Sequence, residues 1–415
     1  MREALRGLTV RGRALLAAGV TAIICAVVLG QPGLTRVGVL LLVLPLLVAF
    51  VVSRGRYRLA LVRTVAPRVV TAGQPARVQV ALSNEGRTPT ATLLLEESVP
   101  FALGARPRFV VRRLGRGRQV EYQVRSELRG RFEIGPMTVH VCDPFGLVRL
   151  GRAFSSTTPL TVTPRTVPLA AIPLTGMRGG AGDSMPRAFA GGSAEDVTVR
   201  EYRRGDDLRR VHWRSSARVG ELMVRREEQP WQARATLLLD NRLRAHRGAG
   251  AASSFEAAVS AAASIAVHLS ERGFTVRLVT ATGDDPTAWQ RRHDAPDAAT
   301  LLEALAVVGL TPTSAFDLGW LDETATGGLV IAVLGALEGA EITALRRLRH
   351  HAGAALGLAL DVPTWGAAGH GEIPYGVPAA PLLAQAGWQT ATLAAGERLE
   401  PAWKALGVRV KAVAR

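Results

Sequence analysis

The sequence predicts a multi-domain chain: an apolar helical hairpin, then an antiparallel β-sandwich, then a doubly wound α/β domain. Three observations lead there. Two charge-free apolar runs stand close together at residues 14–29 and 37–52, residues 59–163 alternate apolar and polar side chains between turn clusters, and from residue 235 onward strand-like and helix-like stretches take turns. The 415 residues exceed one ordinary core, and a composition of 48% hydrophobic against 20% charged residues supplies ample apolar surface to bury.

The hairpin occupies residues 1–58. Its two runs are joined by residues 30–36, which hold Gly30, Pro32, Gly33 and Arg36, the composition of a tight turn. With turn residues added, each run reaches the length that crosses a bilayer, about 17–25 residues. A cleavable leader would need small residues at its cleavage site, where Pro32 stands, and a soluble core hairpin would need polar faces that these runs lack. Arg2, Arg6, Arg11 and Arg13 precede the first run and Arg54, Arg56, Arg58 and Arg63 follow the second, against Arg36 alone between them. The positive-inside rule then predicts a multi-pass cell-membrane protein with both termini cytoplasmic.

Net charge is +17, which raises the question of nucleic acid. The arginine excess is concentrated between residues 54 and 131, directly after the hairpin, where an anionic leaflet would attract it. No zinc-finger spacing and no interleaving of aromatic with basic residues accompanies it, so a lipid bilayer is the expected partner and no nucleic acid is expected. The two cysteines, Cys25 and Cys142, are too far apart in the chain to form a metal motif and give no disulfide framework.

Residues 59–165 form the sandwich, with strands read at residues 76–82, 91–95, 109–111, 120–124 and 137–141. Residues 166–234 are a linker and motif segment whose glycine clusters lie between residues 175 and 193. Residues 235–415 are the α/β domain, with strands at 235–239, 275–280, 328–334 and 355–360. Helices are read at 254–271, 298–308 and 340–350, the first opened by Ser254. Such alternation means a parallel sheet, with ligands expected beyond the carboxyl ends of its strands. His268 is expected in the core, His350 and His351 on a helix surface, and Asp361 at the sheet's carboxyl edge.

The densest group of polar residues precedes the α/β domain: Glu201, Tyr202, Gly205, Asp206, Asp207, Arg209, His212, Trp213, Ser216, Ala217 and Arg218. The pattern Gly205-Asp206, Arg209, Trp213, Ala217-Arg218 resembles the hallmark of the domain of unknown function 58 family. Gly130 to Pro136 and the run Asp143, Pro144, Phe145, Gly146, Leu147 are similar to segments of the same family, as is the hairpin. The resemblance implies a C-terminal half similar to von Willebrand factor A domains, which hold a divalent metal in an aspartate-x-serine-x-serine loop. Here that loop begins at Asp240, and arginines, Arg242 and Arg244, stand at both serine positions, so oxygen ligation of a hard cation is lost and no metal or other cofactor is expected.

Three roles suit the polar group. It can be a salt-bridged connector, with Asp206 paired to Arg209 or Arg218 and Trp213 filling a seam between domains. It can be a partner-binding surface, since arginine and tryptophan anchor interfaces. It can be a hydrolase site with Asp206, Asp207 and His212 as acid-base groups, although no nucleophile partner, P-loop, nucleophile elbow or HExxH accompanies them. No enzymatic activity is expected. The family resemblance implies a membrane-anchored adaptor working with a MoxR-type AAA ATPase in assembly or maturation at the cell envelope, beside a transglutaminase-like membrane protein. Binding of anionic lipid or nucleic acid through the arginine excess is the remaining alternative.

Overall fold

A computed structural model of the chain describes residues 7–54, 59–86, 92–112, 114, 117–143, 145–172, 199–202, 211, 213–225, 234–283, 296–321, 328–366 and 378–407. Contacts divide the chain into two compact units. One comprises residues 1–166 with 248–263 and 299–309, and the other 167–247 with 264–298 and 310–415.

The first unit opens with helices α1 (Val10–Leu29) and α2 (Pro32–Arg54). The Thr9 hydroxyl caps α1 by accepting from the Gly12 amide at 3.3 Å, and Gly30, at φ 64°, ends it in the left-handed conformation that glycine adopts without strain. The connection is shorter than the sequence suggests. Pro32 starts α2 because its fixed φ and missing N–H suit a first helical position, so residues 33–36 are helical and not turn. At about 1.5 Å per residue the helices are about 30 and 34 Å long. Both are long and apolar enough to cross a membrane, and only 17% and 22% of their most apolar windows are buried, unlike the core helices of a soluble protein. They approach closely where Gly19 faces Gly38, since a Cβ on either would press on the other's backbone.

Ten strands follow: β1 (Leu59–Ala66), β2 (Val69–Thr71), β3 (Pro75–Asn84), β4 (Thr92–Glu97), β5 (Arg108–Val111), β6 (Gly117–Arg125), β7 (Gly130–Ile134), β8 (Met137–Cys142), β9 (Arg149–Phe154) and β10 (Thr158–Thr163). They pair as sheets of order β1-β3-β6, β2-β10-β7 and β5-β4-β8-β9. Period-two alternation puts Ala76, Val78, Val80 and Leu82 of β3 and Leu93 and Leu95 of β4 into one apolar core with Ile134, Val139 and Leu160. Pairing is not wholly antiparallel as expected: β10 runs parallel to β2. The two lie on opposite sides of the intervening strands in sequence, a separation that permits the crossover a parallel pair requires.

Arg129, between β6 and β7, is nearly buried. It donates to the carbonyls of Leu305 at 2.9 Å and Val308 at 2.5 Å, pairs with Glu256, and lies 4.9 Å from the Phe255 ring. It therefore satisfies carbonyls left open at the end of the helix Ala298–Val307.

The second unit holds β11 (Val199–Glu201), α3 (Trp213–Val219) and β12 (Met223–Arg225), then β13 (Arg234–Leu239), β14 (Thr275–Thr280), β15 (Leu329–Leu334), β16 (Ala354–Leu360) and β17 (Gln389–Leu393). Helix α4 (Ser254–Glu271) follows β13, α5 (Ala298–Val307) follows β14, and α6 (Ile342–His351) follows β15, with α4 up to Ala263 and α5 from Ala299 belonging by their contacts to the first unit. The chain closes with α7 (Ala379–Gln385) before β17 and α8 (Leu399–Leu406) after it. The capping hydroxyl of α4 is Ser253, bonded to the Glu256 amide at 3.2 Å, one residue before the serine expected to open the helix. Strands β13 to β17 form one parallel sheet of order β14-β13-β15-β16-β17. Its central strands are apolar on both faces, as in β15 and β16, where every residue is buried. Chain direction across the sheet reverses at β13, so the carboxyl ends of β13 and β15 flank the crevice where such sheets place ligands.

Candidate functional site

Asp240 follows β13 directly and Gly335 follows β15, so both stand at that crevice. The Asp240 amide donates to the Val333 carbonyl at 2.9 Å, continuing the ladder one residue past the strand. Its side chain, fully buried, is thereby aimed along the gap between the two strands.

Arg242 fills the gap. Its Nε donates to Asp240 Oδ1 at 2.8 Å and its Nη2 to Asp240 Oδ2 at 2.9 Å, a two-pronged pairing. Nη1 pairs with Glu341, and longer bonds reach the carbonyls of Ser314 at 3.4 Å and Ala336 at 3.5 Å. Phe316 covers the guanidinium face, its ring centroid 4.0 Å from Cζ. The Gly335 amide adds a 3.3 Å bond to Asp240 Oδ2. A buried arginine this fully bonded is tolerable because the partners in reach replace the water it gives up.

Arg244 forms an outer layer at the mouth. It donates to Glu338 Oε1 at 2.9 Å and Glu341 Oε1 at 2.8 Å, and also to the Ser314 carbonyl. Glu341 is held by a reciprocal cap: its Oε2 accepts from the Glu338 amide at 2.8 Å while the Glu338 side chain accepts from the Glu341 amide. Two guanidiniums therefore meet three carboxylates, and the charges nearly balance inside the network.

Neighbouring groups brace the loop. The Asn241 side chain accepts from the Ala281 amide at 3.1 Å, and the Thr311 amide donates to the Asn241 carbonyl at 2.8 Å. His246 Nε2 donates to the Asp240 carbonyl at 2.8 Å, and burial pushes this imidazole below its ordinary value, outweighing the pull of Asp240. Gly335 can carry no side chain, because a Cβ would overlap the Ala245 carbonyl, which itself accepts from the Ala336 amide at 2.9 Å.

The sequence predicts Asp240, Arg242 and Arg244 at one locus, and they are brought together there. It does not foresee Glu341, Glu338 and Phe316, which arrive from residues 70–100 positions onward. The Glu338-x-x-Glu341 spacing just before a helix was the available signal. No group of three or more His, Cys, Asp or Glu side chains arranged to hold a metal occurs among the described residues.

Of the polar group before the α/β sheet, Gly205, Asp206, Asp207, Arg209 and His212 lie outside the described residues, as does the glycine-rich linker. The rest form a small β11-α3-β12 unit. Tyr202 donates its amide to the Leu222 carbonyl at 2.8 Å, and Arg200 pairs with Val224 in register with Glu201 and Met223. Ser216 is the pin of this unit: its hydroxyl accepts from the Met223 amide at 2.8 Å, while its carbonyl accepts from Gly220 at 2.9 Å. Ala217 and Arg218 lie in the last turn of α3, where a cation is favoured by the helix dipole. Trp213 is 69% exposed, with Val219 at 59% and Leu222 at 41% exposed nearby in the chain. A seven-residue helix with no buried side chain has too little inward face to enclose an indole.

His268 is buried as expected, edge-on to Trp403 at 5.4 Å, and burial lowers its affinity for a proton. His350 and His351 bond to carbonyls four residues back on α6, at its surface. Asp361 stands at the carboxyl end of β16, its amide bonded to Leu393 at 2.9 Å.

Residues 198–320 match the family described as Protein of unknown function DUF58, which takes in the β11-α3-β12 unit, Asp240, Arg242, Arg244 and Phe316. No curated protein matches the chain. Among solved structures, the CARDB domain of the PF1109 protein from Pyrococcus furiosus is 18% identical, over 26% of this chain and 93% of that one, at a TM-score of 0.21. The human zinc 2-glycoprotein and prolactin inducible protein complex gives 12% identity over 26% of this chain and 98% of that chain, also at 0.21. Pseudomonas fluorescens alkylpurine DNA glycosylase AlkC gives 14% over 32% of this chain and 39% of that chain, at 0.18. Similarity at these scores bears on neither activity nor ligand.

Proposed function

We propose, from the match to a family of unknown function and the geometry above, that the chain is a membrane-anchored adaptor that presents the β11-α3-β12 unit to a partner protein. In this reading α1 and α2 span the cell membrane with both termini cytoplasmic, the β domain is a sandwich, and the sheet of β13 to β17 is a von Willebrand factor A-like domain. Arg242 occupies the position that a bound cation takes in such domains, and the partner is a MoxR-type AAA ATPase, with a transglutaminase-like membrane protein as a further component.

The observation that carries the proposal is the exposure of Trp213 at 69% within the family-matched segment. Tryptophan is the residue type most enriched at the energetic centres of interfaces, and leaving it in water has no structural benefit. The crevice supports the same conclusion from the other side. Both oxygens of Asp240 are committed to Arg242 and Gly335, leaving the switch point arranged for rigidity. Nothing in the described geometry favours the hydrolase alternative, whose residues Asp206, Asp207 and His212 lie outside it.

Affinity capture of the detergent-solubilised protein from its own host tests the proposal. An AAA ATPase should co-purify with wild type and fall below detection with Trp213→Ala. Equal recovery by both would remove Trp213 from the interface, and recovery of no ATPase by wild type would end the adaptor reading.

A further inference from the structure

Against the first turns of α1 the first unit has a cleft of about 550 Å³, within the roughly 300–1,000 Å³ range of small-molecule sites. One wall is a stripe of α1. Arg11, Ala14 and Ala18 are three and four positions apart and so share a face, where the two alanines leave the helix surface hollow beneath a guanidinium. Leu44 of α2 lines it beside them, and Phe145 and Leu147 form the other side.

That other side is fixed in place. Asp143 Oδ1 accepts from the Phe145 amide at 2.7 Å and Oδ2 from the Val148 amide at 2.5 Å, and Gly146 turns the chain at φ 67°. The turn is bonded to the start of α1: the Thr9 amide donates to the Leu147 carbonyl at 2.9 Å and its hydroxyl to the Gly146 carbonyl at 2.7 Å. Gly12 permits the approach, since a Cβ there would overlap the Leu147 carbonyl. Leu147 is buried, while Phe145 is left 61% exposed at the rim.

We propose that this cleft binds one anionic phospholipid, with an acyl chain along Ala14 and Ala18 and the phosphate on Arg11. The inference rests on the membrane-spanning reading of α1 and α2. Charge complementarity selects the occupant. An apolar hollow with one guanidinium at its mouth matches a molecule that is hydrocarbon at one end and phosphate at the other, and the guanidinium fork presents two parallel donors to phosphate oxygens. Further along the same face of α1, seven and eleven positions beyond Ala18, Cys25 and Leu29 are exposed, so the acyl chain continues from the cleft over apolar helix surface. An anionic headgroup is preferred because a zwitterionic one brings its own ammonium towards Arg11.

The test uses the full-length protein purified in mild detergent from membranes, then reconstituted into nanodiscs of mixed phosphatidylglycerol and phosphatidylcholine, with bound lipid counted by mass spectrometry. Wild type should retain one phosphatidylglycerol. Filling the hollow with Ala14→Leu and Ala18→Leu should abolish retention, as should opening its rim with Phe145→Ala, an exposed position that a folded chain tolerates. Arg11→Gln should lower the preference for phosphatidylglycerol about tenfold, the loss expected of one charge-assisted contact. Arg13→Gln, which removes the same charge two residues away, should leave it unchanged. Retention by the filled and Phe145→Ala variants, or an equal effect of Arg11→Gln and Arg13→Gln, overturns the proposal in favour of diffuse surface attraction. Alkaline carbonate extraction separates the two levels. Wild type released by carbonate overturns the membrane reading itself, whereas a chain that resists carbonate but shows no variant effect overturns the cleft alone.

Discussion

Arg242 and Asp240 are joined fork to fork, Nε to Oδ1 at 2.8 Å and Nη2 to Oδ2 at 2.9 Å, with both side chains wholly removed from water. Each is the other's main source of compensation. Removing either therefore leaves the other buried without its two-pronged partner, whereas removing both leaves no such survivor, and Glu341 keeps Arg244.

Asp240→Ala or Arg242→Ala should accordingly destabilise the second unit by about 3–5 kcal/mol. The double variant Asp240→Leu with Arg242→Leu should recover much of that loss, since apolar replacement of a buried pair is often neutral. Chemical denaturation of the purified variants measures both, and a double variant no better than the singles would mean that the pair does more than neutralise itself.

Gly335→Ala should cost about 1–3 kcal/mol by overpacking, because the new Cβ meets the Ala245 carbonyl and the backbone must move. Gly309→Ala, where a Cβ has open space, is the control and should differ little in midpoint.

His246 makes stability depend on pH. Burial lowers its folded pKa below the ordinary 6.5, so between the two values the unfolded chain binds more protons than the folded one. The stability it contributes is present in full above 6.5 and is lost as pH falls from there through the folded value. Melting temperature should drop on acidification across that window, and His246→Asn should flatten the drop; an unchanged slope in the variant would assign the effect to other groups.

Trp213→Ala should leave stability within about 0.5 kcal/mol of wild type, as exposed positions do, while removing partner capture. A large loss of stability instead would place the indole in a packed environment in solution.

Much of the architecture is legible from periodicity alone. The apolar runs of α1 and α2, the alternation in β3 and β4, and the continuous apolar stretches of β13, β15 and β16 each carry their own signal. β17 escapes notice because Gln389, Thr390 and Thr392 interrupt its apolar residues, as suits an edge strand that is only half covered. β1 and β10 are obscured by their arginine, threonine and proline content, and β2 by being only three residues long. At the crevice, position after a strand identifies Asp240, but no local pattern could join it to Glu341, because that meeting is made by the order in which the sheet is wound. The exposure of Trp213 is not legible in the sequence for a related reason. An aromatic within a charged segment reads as an anchor, and whether the anchor faces inward depends on how much face the short helix beneath it offers.

The bonds between Thr9 and the turn at Gly146 and Leu147 have a consequence for the order of synthesis. The contact spans 137 residues, so the first helix emerges from the ribosome long before the segment that docks on it exists. Domains form from the N-terminal side as the chain is made, and the hairpin must therefore settle without its brace. The late arrival of β8 and β9 then adds the Leu8 to Val148 bridge and the Arg149 to Gly7 bond, clamping the helix start after the fact. In the finished molecule a tilt of α1 passes directly into the β9 edge through main-chain bonds, so the hairpin serves as a stiff stem and not as a flexible tether.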